Sequence, residues 1–197
     1  GALHIHAITT AGTPAAGVNV TLPGTPYAGV ADSSGQIRFA DLEPGPYTAD
    51  LRIRPLSDIG IYIPDALKFV AVRDSTHVAT LKVPSAAQWV SARCVADHLW
   101  QVGDSVFVVG RVLGAKGKPV DGVRLEYLVK ASNGLWSMLP DFYVTGTDGV
   151  FQTCSSQYFM GDTLRIKATT HEREAFITAL PLGDHVNHVI VRVPPAP

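Results

Sequence analysis

Hydrophobic and polar residues alternate with a period of two along much of the chain. Near the start, Leu3, Ile5 and Ala7 fall on one side of an extended segment and His4 and His6 on the other. The same rhythm puts Val18, Val20 and Leu22 opposite Asn19 and Thr21, and Ile37 and Phe39 opposite Gln36 and Arg38. A longer run sets Tyr47, Ala49, Leu51 and Ile53 against Thr48, Asp50, Arg52 and Arg54. A period of two is the signature of a strand with one buried face, so each run predicts a half-buried β-strand. No segment of 11 or more residues shows a helical period, and the expected class is all-β.

Turn residues punctuate these runs. Pro14-Ala15-Ala16-Gly17 precedes the second strand, and Asp32-Ser33-Ser34-Gly35 separates two others. Proline fixes φ and glycine accepts positive φ, so each element predicts a tight reversal. The same landmarks return later. Pro119-Val120-Asp121-Gly122-Val123-Arg124-Leu125 repeats the form Pro-x-x-Gly-Val-x-aliphatic, and Asp148-Gly149-Val150-Phe151 answers Asp32 to Phe39. Gly45 precedes one alternating run and Gly161 the corresponding one. Val78 to Pro84 and His188 to Pro194 close the two copies. Four landmarks in one order predict two tandem antiparallel β-sandwich domains, residues 1–84 and 89–197, joined by a short linker at 85–88.

Composition narrows the class. Hydrophobic residues make up 46% of the 197 and charged residues 17%, a balance suited to packed domains rather than a disordered chain. The net charge is −1, with 16 basic and 17 acidic residues and no basic run, which argues against nucleic acid as a partner. No apolar stretch approaches the length needed to span a bilayer, so membrane insertion is not expected. The abrupt start in a strand pattern and the Pro194-Pro195-Ala196-Pro197 end suggest a fragment of something larger. Two cysteines are present. Cys94 alternates with Val90, Ala92 and Ala96 and reads as inward on a strand, whereas Cys154 falls on an outer face, so the pattern argues mildly against a disulfide.

The first copy, through Thr13 to Val20, Asp32 to Gly35 and Leu42-Glu43-Pro44-Gly45-Pro46-Tyr47, resembles the transthyretin-like superfamily of carboxypeptidase regulatory-like and collagen-adhesin B-type modules. The resemblance covers about residues 3 to 84. The second copy keeps the pattern more loosely, and its Val102 to Val112 segment also looks like macroglobulin-type or immunoglobulin-like modules. Either resemblance implies a β-sandwich. Such modules decorate many kinds of protein, so the resemblance implies an accessory role in a bacterial, extracytoplasmic or secretion-apparatus protein and no particular ligand. The intramolecular isopeptide bond of some adhesin modules uses a lysine on the first strand, and none stands between Leu3 and Ile8. The C-terminal Tyr-Arg-Gly-Ser of the transthyretin-like hydrolases is also missing from the end of this sequence.

Catalytic signatures are missing too. The sequence contains no Gly-x-Ser-x-Gly elbow, no His-Glu-x-x-His pair and no phosphate-binding Gly-Lys-Ser/Thr loop. Two of the histidine pairs, His4-x-His6 and His185-x-x-His188, have usable metal spacing, but His4, His6 and His188 alternate with apolar neighbours and most simply face water. No catalytic residue, metal site or cofactor is assigned. The candidate contact surface is the segment Leu135 to Tyr143, read as a loop, with Trp136, Met138, Asp141, Phe142 and Tyr143 as contact residues. A strand pair with Trp136 and Phe142 in the core is the competing reading. Ile59 to Pro64 is a second candidate, which reads equally well as a buried edge strand. The expected function is a non-enzymatic module that spaces or docks domains through protein–protein contacts. A carbohydrate-binding module, with Trp136, Tyr143 and Tyr158 as stacking platforms, is the alternative. A cryptic metal site or hydrolase comes third.

Overall fold

A computed structural model describes residues 1–96, 106–130, 133–153, 161–170, 174–176, 180–183 and 186–193. The chain separates into two compact units, Gly1–Ala86 and Ala87–Pro197.

The first unit contains β1 (Ala2–Thr9), β2 (Asn19–Thr21), β3 (Ala28–Val30), β4 (Gln36–Phe39), β5 (Gly45–Arg52), β6 (Ile63–Ala71) and β7 (Thr76–Val83). They form two sheets, ordered β4-β1-β7 and β3-β2-β5-β6. All pairs are antiparallel except β1 with β7, which run parallel from Ala2 opposite Thr76 to Thr9 opposite Val83. The alternation decides which faces meet. Leu3, Ile5, Ala7, Ile37, Phe39, Leu81 and Val83 from one sheet and Val20, Ala49, Leu51 and Phe69 from the other are all buried. Gly29 on β3 permits close approach, since a Cβ there would lie 2.7 Å from Ile37 Cγ2 on the facing sheet. Tyr27 meets Phe39 edge to face beside it, with centroids 6.3 Å apart.

The second unit begins with α1 (Ala86–Ala96), whose first residue closes the first unit. Then follow β8 (Phe107–Leu113), β9 (Arg124–Lys130), β10 (Trp136–Val144), β11 (Val150–Thr153), β12 (Thr163–Thr169), β13 (Glu174–Phe176), β14 (Leu180–Pro181) and β15 (Val186–Arg192). The sheets are β11-β8-β15 and β10-β9-β12-β13, with β14 also on β12. Here too a single parallel pair, β8 with β15, sits in the three-stranded sheet. Val108, Val112, Phe151 and Val191 from that sheet share one core with Leu125, Tyr127, Leu164 and Ile166 from the other. The unit is a β-sandwich, and among the described residues the protein is all-β apart from α1 and short 3-10 turns.

The same backbone hydrogen bonds recur in both units. Ala7 N–H donates to Gly35 O over 2.7 Å, and Val112 N–H donates to Gly149 O over 2.8 Å. Ala15 N–H reaches Ala7 O as Val120 N–H reaches Val112 O. Gly17 and Ala31 lock the turn into β2 through Gly17 N–H to Ala31 O and Ala31 N–H to Val18 O, and Gly122, Thr145 and Val123 do the same before β9. These are the Pro-x-x-Gly and Asp-x-x-Gly landmarks of the sequence, expressed as one pattern of turns.

Two expectations fail here. Residues 86–88, read as linker, form the first turn of α1, and the segment read as free of helices holds an 11-residue one. Alanine carries no side-chain entropy cost in a helix, and Ala86, Ala87 and Ala92 supply the propensity. Ala86 and Val90 are buried at an i, i+4 spacing, while Trp89 stacks under Arg93 at 4.5 Å, also i, i+4. Apolar residues at Ala86, Ala87, Trp89, Val90 and Ala92 interleave with Gln88, Ser91 and Arg93, and no clean stripe is visible in its sequence. Cys94 lies on α1, so the strand alternation used to orient it does not apply; its side chain and Cys154 lie outside the described residues.

The Ile59 to Pro64 segment is neither loop surface nor simple edge strand. Leu56–Ile59 form a 3-10 turn closed by Gly60 in the left-handed region, and β6 starts only at Ile63. Ile59 and Ile61 are buried, whereas Tyr62 is exposed with the Arg52 guanidinium 5.6 Å from its ring centre.

Candidate functional site

Among the described residues, the outer face of the β10-β9-β12 sheet concentrates the exposed apolar side chains of the second unit. Cross-strand register builds it. Lys130, Leu128, Glu126 and Arg124 on β9 stand opposite Trp136, Met138, Phe142 and Val144 on β10. On the other side of β9, Thr163, Arg165, Lys167 and Thr169 of β12 face the same four residues. Side chains alternate across a strand, so this whole set shares one face, while Leu125, Tyr127, Val129, Leu164, Ile166 and Ala168 point into the core.

A bulge shapes β10. Between Met138 and Phe142 the strand advances four residues while β9 advances two. Two extra residues leave the alternation in phase, so Met138 and Phe142 stay on the outer face and Leu139 and Tyr143 stay toward the core. β10 is also the edge of its sheet, and Pro140 sits within the bulge, where its missing N–H does least harm to pairing.

Cations lie on the aromatic rings of this face. The Arg165 guanidinium sits 4.1 Å from the Trp136 ring centre, Lys130 Nζ is 5.9 Å from the same ring, and Arg124 lies 3.8 Å from the Phe142 centre. Glu126 takes up part of the charge. Its carboxylate is 3.3 Å from Arg124 and 3.6 Å from Lys167. On β10, β9 and β12 four cations thus share the face with one carboxylate, and β13 brings Glu174 into register with Thr169 at its far end. Met138 is 61% exposed, Phe142 52% and Val144 50%, and Leu135 beside the strand is 66% exposed.

The five residues singled out in the sequence therefore divide. Trp136, Met138 and Phe142 stand together on the outer face; Tyr143 packs against the core; Asp141 lies in β10 with its side chain outside the described residues. The segment is an edge strand and not a loop, and Phe142 is not a core residue. Sequence reading missed Arg124, Lys130, Arg165 and Lys167. Their signal was the period of two in Arg124-x-Glu126-x-Leu128-x-Lys130 and in Arg165-x-Lys167, which means nothing until register brings the three strands together.

Other candidate chemistry is dispersed. His4 and His6 lie half-buried on the outer face of β1, opposite Arg38 and Gln36 of β4, and His188 is exposed; His185 and Tyr158 are outside the described residues. Among the described residues no three His, Cys, Asp or Glu side chains gather as a metal site. An open groove of about 620 Å³ in the first unit runs along Pro46, Tyr47, Phe69 and Val70. Its one charged group, Lys68, is paired with Asp65 at 3.2 Å. Asp32 accepts hydrogen bonds from Gln36 N–H, Ser34 N–H and Ser34 Oγ within its own turn. The bond from Gln36 and then that from Ser34 Oγ hold its carboxyl below the usual range, a turn-forming role. No described helix is long and apolar enough to cross a membrane.

No family model matches the chain, and no curated protein matches it. Among solved structures it is similar to the Bacillus anthracis TIE protein, at 14% identity and a TM-score of 0.34 over 98% of this chain. It spans about a third, 33%, of that protein's length. It is similar also to GBS52, the minor pilin of Streptococcus agalactiae, at 13% identity and a TM-score of 0.32, covering 100% of this chain and 96% of the pilin. Transthyretin from Sparus aurata matches 44% of this chain and 86% of its own at 19% identity and a TM-score of 0.32. At these identities and TM-scores no property of those proteins transfers to this chain.

Proposed function

We propose that the chain is a non-enzymatic pair of tandem modules, of transthyretin-like or carboxypeptidase regulatory-like kind, that spaces or docks domains of a larger extracytoplasmic protein. Its second unit makes the protein–protein contact through the outer face of β10, β9 and β12. The observation that carries the docking reading is the cluster of Met138, Phe142 and Val144, each at least half exposed on one sheet face. The tandem reading rests on the hydrogen bonds shared by the Gly35 and Gly149 turns. The carbohydrate-binding alternative has less support, because Tyr143 packs against the core and Arg165 lies over one side of Trp136, where a sugar would stack.

The test is capture of partners from envelope and soluble extracts by the immobilised full chain. A Met138→Ser, Phe142→Ser variant is expected to lose a partner that the wild type holds. Val78→Ser, at a residue 72% exposed in the first unit, is expected to keep it. Retention of the same proteins by all three would refute docking through this face.

A further inference from the structure

We propose that the segment received by this face is acidic, a stretch of a partner protein whose Asp or Glu carboxylates meet Arg165 and Lys130 while its apolar residues cover Met138 and Phe142. The proposal rests on the docking reading above and adds the chemistry of the partner.

Charge distribution argues for it. The chain as a whole carries −1, yet on β10, β9 and β12 four cations share this face with the single carboxylate of Glu126, and Glu174 of β13 stands in register with Thr169, next to the Arg124 end rather than the Arg165 and Lys130 end. Glu126 already engages Arg124 and Lys167. Arg165 and Lys130 have no carboxylate within ion-pair distance among the described residues, and both are exposed. Both stand over the same Trp136 ring, at 4.1 and 5.9 Å, so they lie no farther apart than the sum of those distances. Two carboxylates two residues apart on an extended segment are separated by about 7 Å, which suits such a pair.

The stacking also matters for what Arg165 does. A guanidinium lying on an indole keeps its N–H donors around its rim, and these suit a planar carboxylate in bidentate fashion. The ring holds the side chain in one place beforehand, so less rotamer freedom is lost when the partner arrives. A sugar platform would need the opposite arrangement, with the ring face bare. The exposed Met138 and Phe142 set the second requirement, apolar residues interleaved with the acidic ones.

The experiment titrates the full chain into a labelled peptide alternating Glu with Phe and Leu, followed by fluorescence anisotropy. Its Gln-for-Glu analogue and polygalacturonate serve as competing probes. The Glu peptide is expected to bind at least about tenfold more tightly than the Gln analogue, with affinity falling as salt rises. Arg165→Glu with Lys130→Glu is expected to weaken it by at least about tenfold, and the milder Arg165→Gln with Lys130→Gln to weaken it by a smaller factor. Lys116→Glu with Lys118→Glu makes the same change in net charge in an exposed turn of the same unit and is expected to change affinity less than about twofold. Circular dichroism shows that each variant is folded. Equal losses from the two double reversals, or no binding of the Glu peptide at roughly millimolar protein, overturn the proposal. Tighter binding of polygalacturonate, lost in the Arg165 and Lys130 variant, overturns it in favour of an anionic glycan. Equal binding of Glu and Gln peptides, abolished by Met138→Ser with Phe142→Ser, overturns the acidic chemistry and leaves docking standing. If that Ser variant binds peptides and partners like the wild type, the docking reading itself fails.

Discussion

Gly149 and Gly122 hold nearly the same backbone conformation, φ 67° and 68°, in very different surroundings. A Cβ on Gly122 would meet nothing within 4 Å, whereas one on Gly149 would lie 2.5 Å from Val112 O and 3.2 Å from both Pro119 Cβ and Val120 N. Alanine at either position bears the left-handed penalty, about 1–2 kcal/mol. At Gly149 it must also push away β8 or the turn that follows, and forced shifts of packed backbone cost about 1–3 kcal/mol more. Gly122→Ala is therefore expected to destabilise the second unit by about 1–2 kcal/mol and Gly149→Ala by about 2–5 kcal/mol. All three tryptophans, Trp89, Trp100 and Trp136, belong to that unit, so tryptophan fluorescence in urea follows its unfolding alone. With a denaturant slope of about 1.5 kcal/mol per molar, the excess for Gly149→Ala lowers the midpoint by roughly 0.7–2 M relative to Gly122→Ala. Equal midpoints for the two variants would refute the idea that close approach of Val112 O, rather than positive φ, requires glycine in this turn.

Thr145 is 2% exposed, accepts from Val123 N–H at 3.0 Å and donates to Val120 O at 2.8 Å. Thr145→Val strands both backbone groups and is expected to destabilise the second unit by about 2 kcal/mol, while Thr145→Ser keeps the bonds and most of the stability; thermal melting distinguishes the two. In the first unit, the turn hydrogen bonds hold the folded Asp32 carboxyl below its unfolded value. Its contribution is therefore present above the ordinary aspartate range near about pH 4 and is lost as pH falls through the folded value. Asp32→Asn is expected to remove that component from the acid limb of the unfolding profile, and an unchanged acid limb in the variant would count against it.

Much of the fold was legible because its signals are local. The alternation at Leu3 to Ala7 and at Tyr47 to Ile53 marks β1 and β5 within a residue or two, since a pleated strand sends neighbours to opposite faces whatever it pairs with. Helix α1 was not legible, because its buried positions, Ala86 and Val90, are separated by Trp89 and flanked by further apolar residues. For the candidate site, Trp136, Met138 and Phe142 were visible as residues but not as a surface. Their segment is strand β10, and neither its pairing with β9 nor its two-residue bulge leaves a mark in a hydropathy pattern.

The sequence by itself determined the strand-rich class, the turns at Gly17, Gly35, Gly122 and Gly149, and the inward residues of β1, β2, β4 and β5. Each depends on φ, ψ and side-chain direction over a few neighbouring residues. Tertiary structure alone decided that β1 pairs with β7 and β8 with β15 in parallel, across separations no local pattern encodes. It also decided that Arg124, Lys130, Trp136, Phe142 and Arg165 share one surface. That surface exists because register fixes which residues of β9, β10 and β12 stand side by side, and register is set by the packing of the opposite face into the core.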